Sequence, residues 1–218
     1  LGECLSLEAI YQRVNVLLGP GLNIKRNPRC GRNFEYFSED PYLAGKMASR
    51  YIKGIQTYGI SGCVKHFACN NQELRRMTID TVVDERTLRE IYLTNFEIAV
   101  KEGQPKCLMT SYNPINGHYA SENEHICNDI LHNEWKYNGV IVSDWGGMND
   151  RVLGIKANND LEMPTSAGDG AKDIIRAIQN KELDEEQLDV CVDRLITLIN
   201  DTTKAIKEND KVVDFEEH

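Results

Sequence analysis

The chain has 218 residues, 41% of them hydrophobic and 27% charged, proportions ordinary for a globular protein with one sizeable core or two small ones. Its net charge of −9 excludes the surplus of Lys and Arg that nucleic-acid binding needs, and argues equally against adhesion to an anionic membrane. No run approaches the about 20 apolar residues that span a bilayer, and the seven cysteines, odd in number and without a C-x-x-C pair, outline neither a zinc site nor a disulfide framework.

The opening LGECLSLEAIYQR lacks the basic and apolar regions of a signal peptide. Residues 14–18 read as a strand closed by Gly19-Pro20-Gly21. Ser38-Glu39-Asp40 ahead of Pro41 is a helix start, and the pattern predicts a helix over 41–58 with Gly59 as its stop. A strand is expected at 62–67, a short extended run at 79–83, and a helix capped by Asp84 over 85–101. A strand at 106–111 leads into the turn-rich Asn113-Pro114-Ile115-Asn116-Gly117, then a helix over 122–135 and a strand at 139–143. A short strand at 160–163 ends at Pro164, and helices follow over 167–179 and 185–206. In the last two, Ile174, Ile175 and Ile178 share a face, as do Leu188, Val192, Leu195 and Ile199.

Strands alternating with helices at this spacing make parallel βα units. Four strands end in polar or reactive residues: Lys65-His66, Ser111-Tyr112-Asn113, Ser143-Asp144-Trp145, and Asp160 with Glu162. A (β/α) barrel gathers its strand C-termini on one face, which carries the chemistry. A doubly wound sheet would gather them too, but no glycine-rich phosphate loop is present. The expected fold is α/β, a TIM-barrel-like (β/α)8 domain.

Asp144 is the main candidate for chemistry. An aspartate at a βα junction commonly caps the next helix, which is the plainer reading of the residue alone. Against it, the carboxylate follows an apolar run and should be fixed in place. Trp145 offers a flat platform suited to the C–H face of a sugar, and Gly146-Gly147 leave room for a ligand beside the backbone. Lys65 and His66 form a second pair. Neighbours on a strand point to opposite faces, so both reach one site only where the strand has ended. Their donors suit hydroxyl recognition; a core histidine beside an exposed lysine is the plainer reading, and a Schiff-base lysine a rival one. Residues 22–41 are dense in charge (Arg26, Arg29, Arg32, Glu35, Glu39, Asp40) and aromatics (Phe34, Tyr36, Phe37), as is seldom the case for a mere connection. Asn70-Asn71-Gln72-Glu73 with Arg75 and Arg76 is either pocket lining or plain loop.

The segments GPGLNIKRNPRCGRNFEYFSEDP, KHFACNNQELRR, MTSYNPINGHYAS, GVIVSDWGG and NNDLEMP stand in the order found in glycoside hydrolase family 3. The chain resembles the β-glucosidase group of that family from about Val14 to Phe215. The resemblance implies a retaining β-glycosidase acting on a β-glucoside or short β-linked oligosaccharide, with no cofactor and no metal. It implies that Asp144 is the nucleophile, that Arg32, Lys65 and His66 hold sugar hydroxyls, that Tyr112 hydrogen-bonds the nucleophile and that Trp145 borders the sugar. The loop after His66 lacks the Asp-His dyad of the N-acetylglucosaminide-cleaving subgroup, which favours a glucosidase or xylosidase.

A retaining mechanism needs a second carboxyl about 5–5.5 Å away. In the family's β-glucosidases that glutamate comes from a later domain; Glu73 is the nearest substitute in this chain. An SDGP-like segment that the family carries earlier has no counterpart before Gly19, and a complete barrel takes about 250 residues. The expectation is a partial barrel over 1–206, incomplete at the N-terminus, and from 207 to 218 the start of a linker to a C-terminal domain. Partners would be that domain or a second copy covering unpaired sheet edges. The cysteine pattern points to a reducing, cytoplasmic setting. Two other functions remain open at this point: a sugar-binding fragment without turnover, and a Schiff-base barrel lyase using Lys65.

Overall fold

Val140, Ile141 and Val142 alternate faces, as strand residues must, yet all three are buried. The cause is a sheet covered on both sides. In the computed structural model, which describes residues 1–209 and 213–216, the strands are β1 (Val16–Leu17), β2 (Ser61–Phe67) and β3 (Cys107–Thr110), then a small hairpin of β4 (Pro114–Ile115) and β5 (His118–Tyr119), and finally β6 (Val140–Val142). The main sheet runs β1-β2-β3-β6 with every pair parallel, Val16 beside Ser61, Cys63 beside Cys107, and Cys107 beside Val140. One face presents Cys63, Cys107, Met109, Val140 and Val142, which pack with Leu198. The other presents Val64, Phe67, Leu108 and Ile141 to the larger cluster containing Leu93, Phe96 and Ile130. The architecture is α/β with a parallel sheet and TIM-barrel-like.

Helices connect the strands. They are α1 (Gly2–Tyr11), α2 (Pro41–Ile55), the wide-turned helical segments α3 (85–103) and α4 (His125–Glu134), α5 (Arg151–Lys156), α6 (Asp169–Gln179) and α7 (Glu185–Glu208). Aspartate begins four of them. Asp40 accepts from the amides of Tyr42 and Leu43, Asp84 from Thr87, Asp150 from Val152 and Leu153, and Asp184 from Glu186. Each bond satisfies amides that have no partner inside the first turn.

Some elements differ from expectation. Helix α1 falls in a segment with no assigned structure in the sequence reading. The strand expected at 14–18 shortens to Val16–Leu17, and the one at 160–163 reduces to a single parallel bridge between Val142 and Leu161. The turn at 113–117 is a hairpin, with Asn116 and Gly117 both at positive φ (51° and 87°), the pair a tight two-residue connection demands.

The apolar faces of the last helices follow the expected ones only in part: Ile174, Ile178 and Leu188 do pack into a buried cluster. Ile175, Val192 and Ile199 are exposed. The buried stripe of α7 is Cys191, Leu198, Thr202, Ala205 and Ile206, with Leu195 packed beside it. Thr202 fits there because its hydroxyl donates to the Leu198 carbonyl at 2.7 Å and accepts from Asn15 at 3.0 Å. A cysteine and a threonine on the inward face hide the stripe from a hydrophobicity count. Of the segment 207–218 expected as a linker, residues 207 and 208 continue α7, Phe215 packs edge-on to Tyr11, and 210–212 and 217–218 lie outside the described residues. All seven cysteines are free, six of them buried. Among the described residues no helix is long and apolar enough to cross a membrane.

Candidate active site

Asp144 stands at the C-terminal end of β6, and the chain there is fastened on both sides. The Ser143 amide donates to the Leu161 carbonyl at 2.9 Å, its hydroxyl accepts from the Met163 amide at 2.8 Å, and the Gly146 amide donates to the Met163 carbonyl at 2.7 Å. Gly146 has φ of +77°, which turns the chain back. A side chain on Gly147 would meet the Asp144 carbonyl at 3.2 Å and the Tyr112 ring at 3.3 Å. The space expected to serve a ligand at the second glycine is therefore taken up by Tyr112.

The carboxylate caps no helix, since Asp150 takes that role for α5. Its Oδ1 accepts from the Trp145 amide at 2.7 Å, and its Oδ2 has no hydrogen-bond partner. Oδ2 lies 3.5 Å from His66 Nε2 and 4.0 Å from Arg32 Nη1. Asp144 is 8% exposed.

His66 and Lys65 reach one site through an irregularity in the sheet. Val64 pairs with Leu108 and Phe67 with Thr110, so three steps of β2 oppose two of β3 and the alternation of faces breaks at Lys65-His66. Asn23 repairs the ladder there. Its side chain accepts from the His66 amide and donates to the His66 carbonyl, both at 2.9 Å, imitating a neighbouring strand. The imidazole is buried, and burial first, then the charges of Arg32, Lys65 and Arg76, push its pKa well below the ordinary value. It is therefore neutral at pH 7.

The charged loop supplies the rest. Arg32 Nε donates to Glu35 Oε1, and Lys65 Nζ lies 3.1 Å from Glu35 Oε2, so one carboxylate bridges both cations. Arg76 places its guanidinium 4.5 Å from the centre of the Tyr112 ring and pairs with Glu73 at 2.7 Å. The Tyr112 hydroxyl donates to the Trp145 carbonyl at 3.0 Å and not to Asp144, the partner expected for it; burial, then the charge of Asp144, raises its pKa. Trp145, the residue after Asp144, is 58% exposed, as a platform at a mouth would be.

Arg32, Lys65, His66, Tyr112, Asp144 and Trp145 thus come together. The fourth strand end does not join them. Asp160 is buried, with Oδ2 accepting from the Ile141 amide at 2.6 Å and Oδ1 3.1 Å from Arg194 of α7. Burial pushes its pKa up, opposed by that amide and by Arg194. Asp160 is a brace inside the fold, and Glu162 accepts from the Ser166 hydroxyl at 2.9 Å. Sequence reasoning gave no specific role to Asn23, Glu35 or Tyr36, for which the density of charge and aromatics in 22–41 was the available signal; Arg76 stood between pocket lining and plain loop, and it lines the Tyr112 ring. Among the described residues no cluster of three or more His, Cys, Asp or Glu could hold a metal ion.

The family model for the N-terminal domain of glycosyl hydrolase family 3 matches residues 1–198. The chain belongs to glycosyl hydrolase family 3. A relative from that family's β-glucosidases, thermostable β-glucosidase B of Acetivibrio thermocellus, is 53% identical over 209 residues, which are 96% of this chain and 28% of that protein. An exo-α-(1→6)-L-arabinopyranosidase of Bifidobacterium longum is 43% identical over 218 residues, again 28% of its length. The solved structure of β-glucosidase 3B from Thermotoga neapolitana in complex with glucose superposes on the whole chain with a TM-score of 0.94 at 44% identity, using 32% of that chain. This family 3 chain therefore spans under a third of the length of these relatives.

Proposed function

We propose that this chain is the nucleophile-bearing part of a retaining β-glucosidase-type hydrolase that removes terminal non-reducing β-D-glucosyl residues. The observation that carries the reading is the carboxylate of Asp144: buried, held by one amide, capping nothing, and with one oxygen unpartnered between a guanidinium and an imidazole. That oxygen attacks the anomeric carbon. The glycosidic bond breaks, the leaving oxygen takes a proton from an acid, and water later releases the sugar from Asp144. Arg32, Lys65 and His66 donate to the sugar hydroxyls, and such bonds tighten as the ring flattens toward an oxocarbenium ion. Trp145 borders the sugar with its exposed ring. Tyr112, bonded to the Trp145 carbonyl, holds the turn that carries the nucleophile.

The acid is a glutamate outside these residues. Glu35 and Glu73 stand in the charged loops beside the site, and both are engaged with cations. The same arrangement disfavours a Schiff-base lyase, because Lys65 is ion-paired with Glu35 whereas a carbonyl-attacking lysine must be a neutral amine. Glucose is the favoured sugar because β-glucosidases recur among the relatives and neighbours, one with glucose bound.

The experiment is covalent trapping with a 2-deoxy-2-fluoro-β-glucoside bearing a dinitrophenyl leaving group, which departs without help from an acid. The fluoroglucosyl mass should appear on the peptide containing Asp144 and vanish in Asp144→Ala. Labelling elsewhere, or none, would falsify the assignment.

A further inference from the structure

The imidazole of His66 has a polar group facing each nitrogen. Nδ1 lies 3.3 Å from the Tyr36 hydroxyl and Nε2 lies 3.5 Å from Asp144 Oδ2. Both rings are almost completely buried, and Tyr36 stands edge-on to the imidazole with centroids 6.3 Å apart. Tyr36 is seated closely. A side chain on Gly21 would come within 2.9 Å of the tyrosine ring, and the two residues also share a backbone bridge.

A neutral imidazole carries one N–H, and two arrangements are available. With the proton on Nδ1, the ring donates to Tyr36, and Nε2 turns a lone pair toward a carboxylate, two acceptors facing one another. With the proton on Nε2, the ring donates toward Asp144 and Nδ1 accepts from the Tyr36 O–H, so every group is used in its own sense. The charged groups around the ring are Asp144 at the end of β6, Arg32 in the loop before α2, Lys65 beside it in sequence, and Arg76. Burial and the three cations disfavour the doubly protonated ring. Burial also raises the Tyr36 pKa, so its hydroxyl keeps the proton it donates.

We propose that Tyr36 is a positioning residue that fixes His66 as the Nε2–H tautomer by donating to Nδ1, so that the single imidazole proton points toward Asp144. Its consequence rests on the sugar-site reading above: a bound pyranose finds at His66 a donor and never a bare lone pair, so a hydroxyl must accept there. An unsubstituted ring able to flip its proton would lose that discrimination.

The test is nitrogen NMR of the chain labelled with 15N-histidine, with His66→Gln used to identify the two resonances. In the unmodified chain Nε2 is expected as the protonated nitrogen and Nδ1 as the bare one. Tyr36→Phe is expected to populate the Nδ1–H form while the resonances of the other histidines stay in place. A protonated Nδ1 in the unmodified chain overturns the proposal without recourse to any variant, and so does a His66 tautomer unmoved by Tyr36→Phe. Titrating the same samples with D-glucose examines the underlying reading. The His66 resonances should respond, and affinity should fall between about twofold and tenfold in Tyr36→Phe, the worth of one hydrogen bond. No response to glucose in the unmodified chain would overturn the sugar site and leave the tautomer assignment standing.

Discussion

Replacing Glu35 by alanine should unsettle both the fold and the site, because one carboxylate serves two cations. Arg32 Nε and Lys65 Nζ face its two oxygens, and the three side chains are 16–19% exposed. Removing one partner of a fully buried ion pair costs about 3–5 kcal/mol, since the other charge stays behind without compensation. With roughly a sixth of each side chain reaching water, solvent screening reduces the expected loss to about 2–3 kcal/mol. For a chain of this size that lowers the thermal midpoint by about 4–12 °C. Glu35→Gln keeps the shape and one acceptor, and should lose about half as much. Urea unfolding of the two variants beside the unmodified chain measures the difference. A loss below about 0.5 kcal/mol in Glu35→Ala, the level of an ordinary surface substitution, would refute the bridge as a structural element.

Asp160→Ala should destabilise by about 2–3 kcal/mol, because it strands the Ile141 amide in the interior and takes the carboxylate from part-buried Arg194, which is left with Asn158; fluoroglucoside trapping on Asp144 by the folded fraction should persist, and loss of trapping in protein that is still folded would contradict a purely bracing role. Acid should weaken the fold through its buried histidines. Burial, then the charge of Arg194, pushes His132 down to about 4, and His66 is lowered as well. The unfolded chain protonates these groups near pH 6.5, so it binds more protons than the native state below that value; the contribution is complete above it and lost as pH falls toward 4. His132→Asn should therefore flatten the decline between pH 7 and pH 5 by about 1–2 kcal/mol, measured by urea unfolding at both values; parallel declines would contradict it.

Much of this arrangement is visible in the chain of residues itself. The aspartate before Pro41 does start a helix, the β-branched run at 140–142 is a doubly covered strand, and Lys65, His66 and Asp144 converge. These are local signals: a cap is one residue from what it caps, and a strand's burial shows in its own composition. What escaped is non-local or irregular. Nothing near Lys65 announces that β2 bulges there, because the extra residue is defined only against β3. Asn23 acts as a strand partner to a residue 43 positions away. Asp160 looked like Asp144, an acid at a strand end, and only the Ile141 amide and the position of Arg194 on α7 mark it as a brace. The inward face of α7 was obscured because its threonine is buried by virtue of two hydrogen bonds that link it to distant residues and to its own helix.

The fastening of residues 143–146 against 161–163 bears on how a ligand would be received. Two backbone links and a serine hydroxyl clasp this short stretch before anything arrives. The entropy of immobilising the carboxylate is thus spent during folding and is absent from the balance of association. A visitor meets a rigid anvil, and whatever mobility accompanies its entry must come from the rim, where the Trp145 ring stands in water.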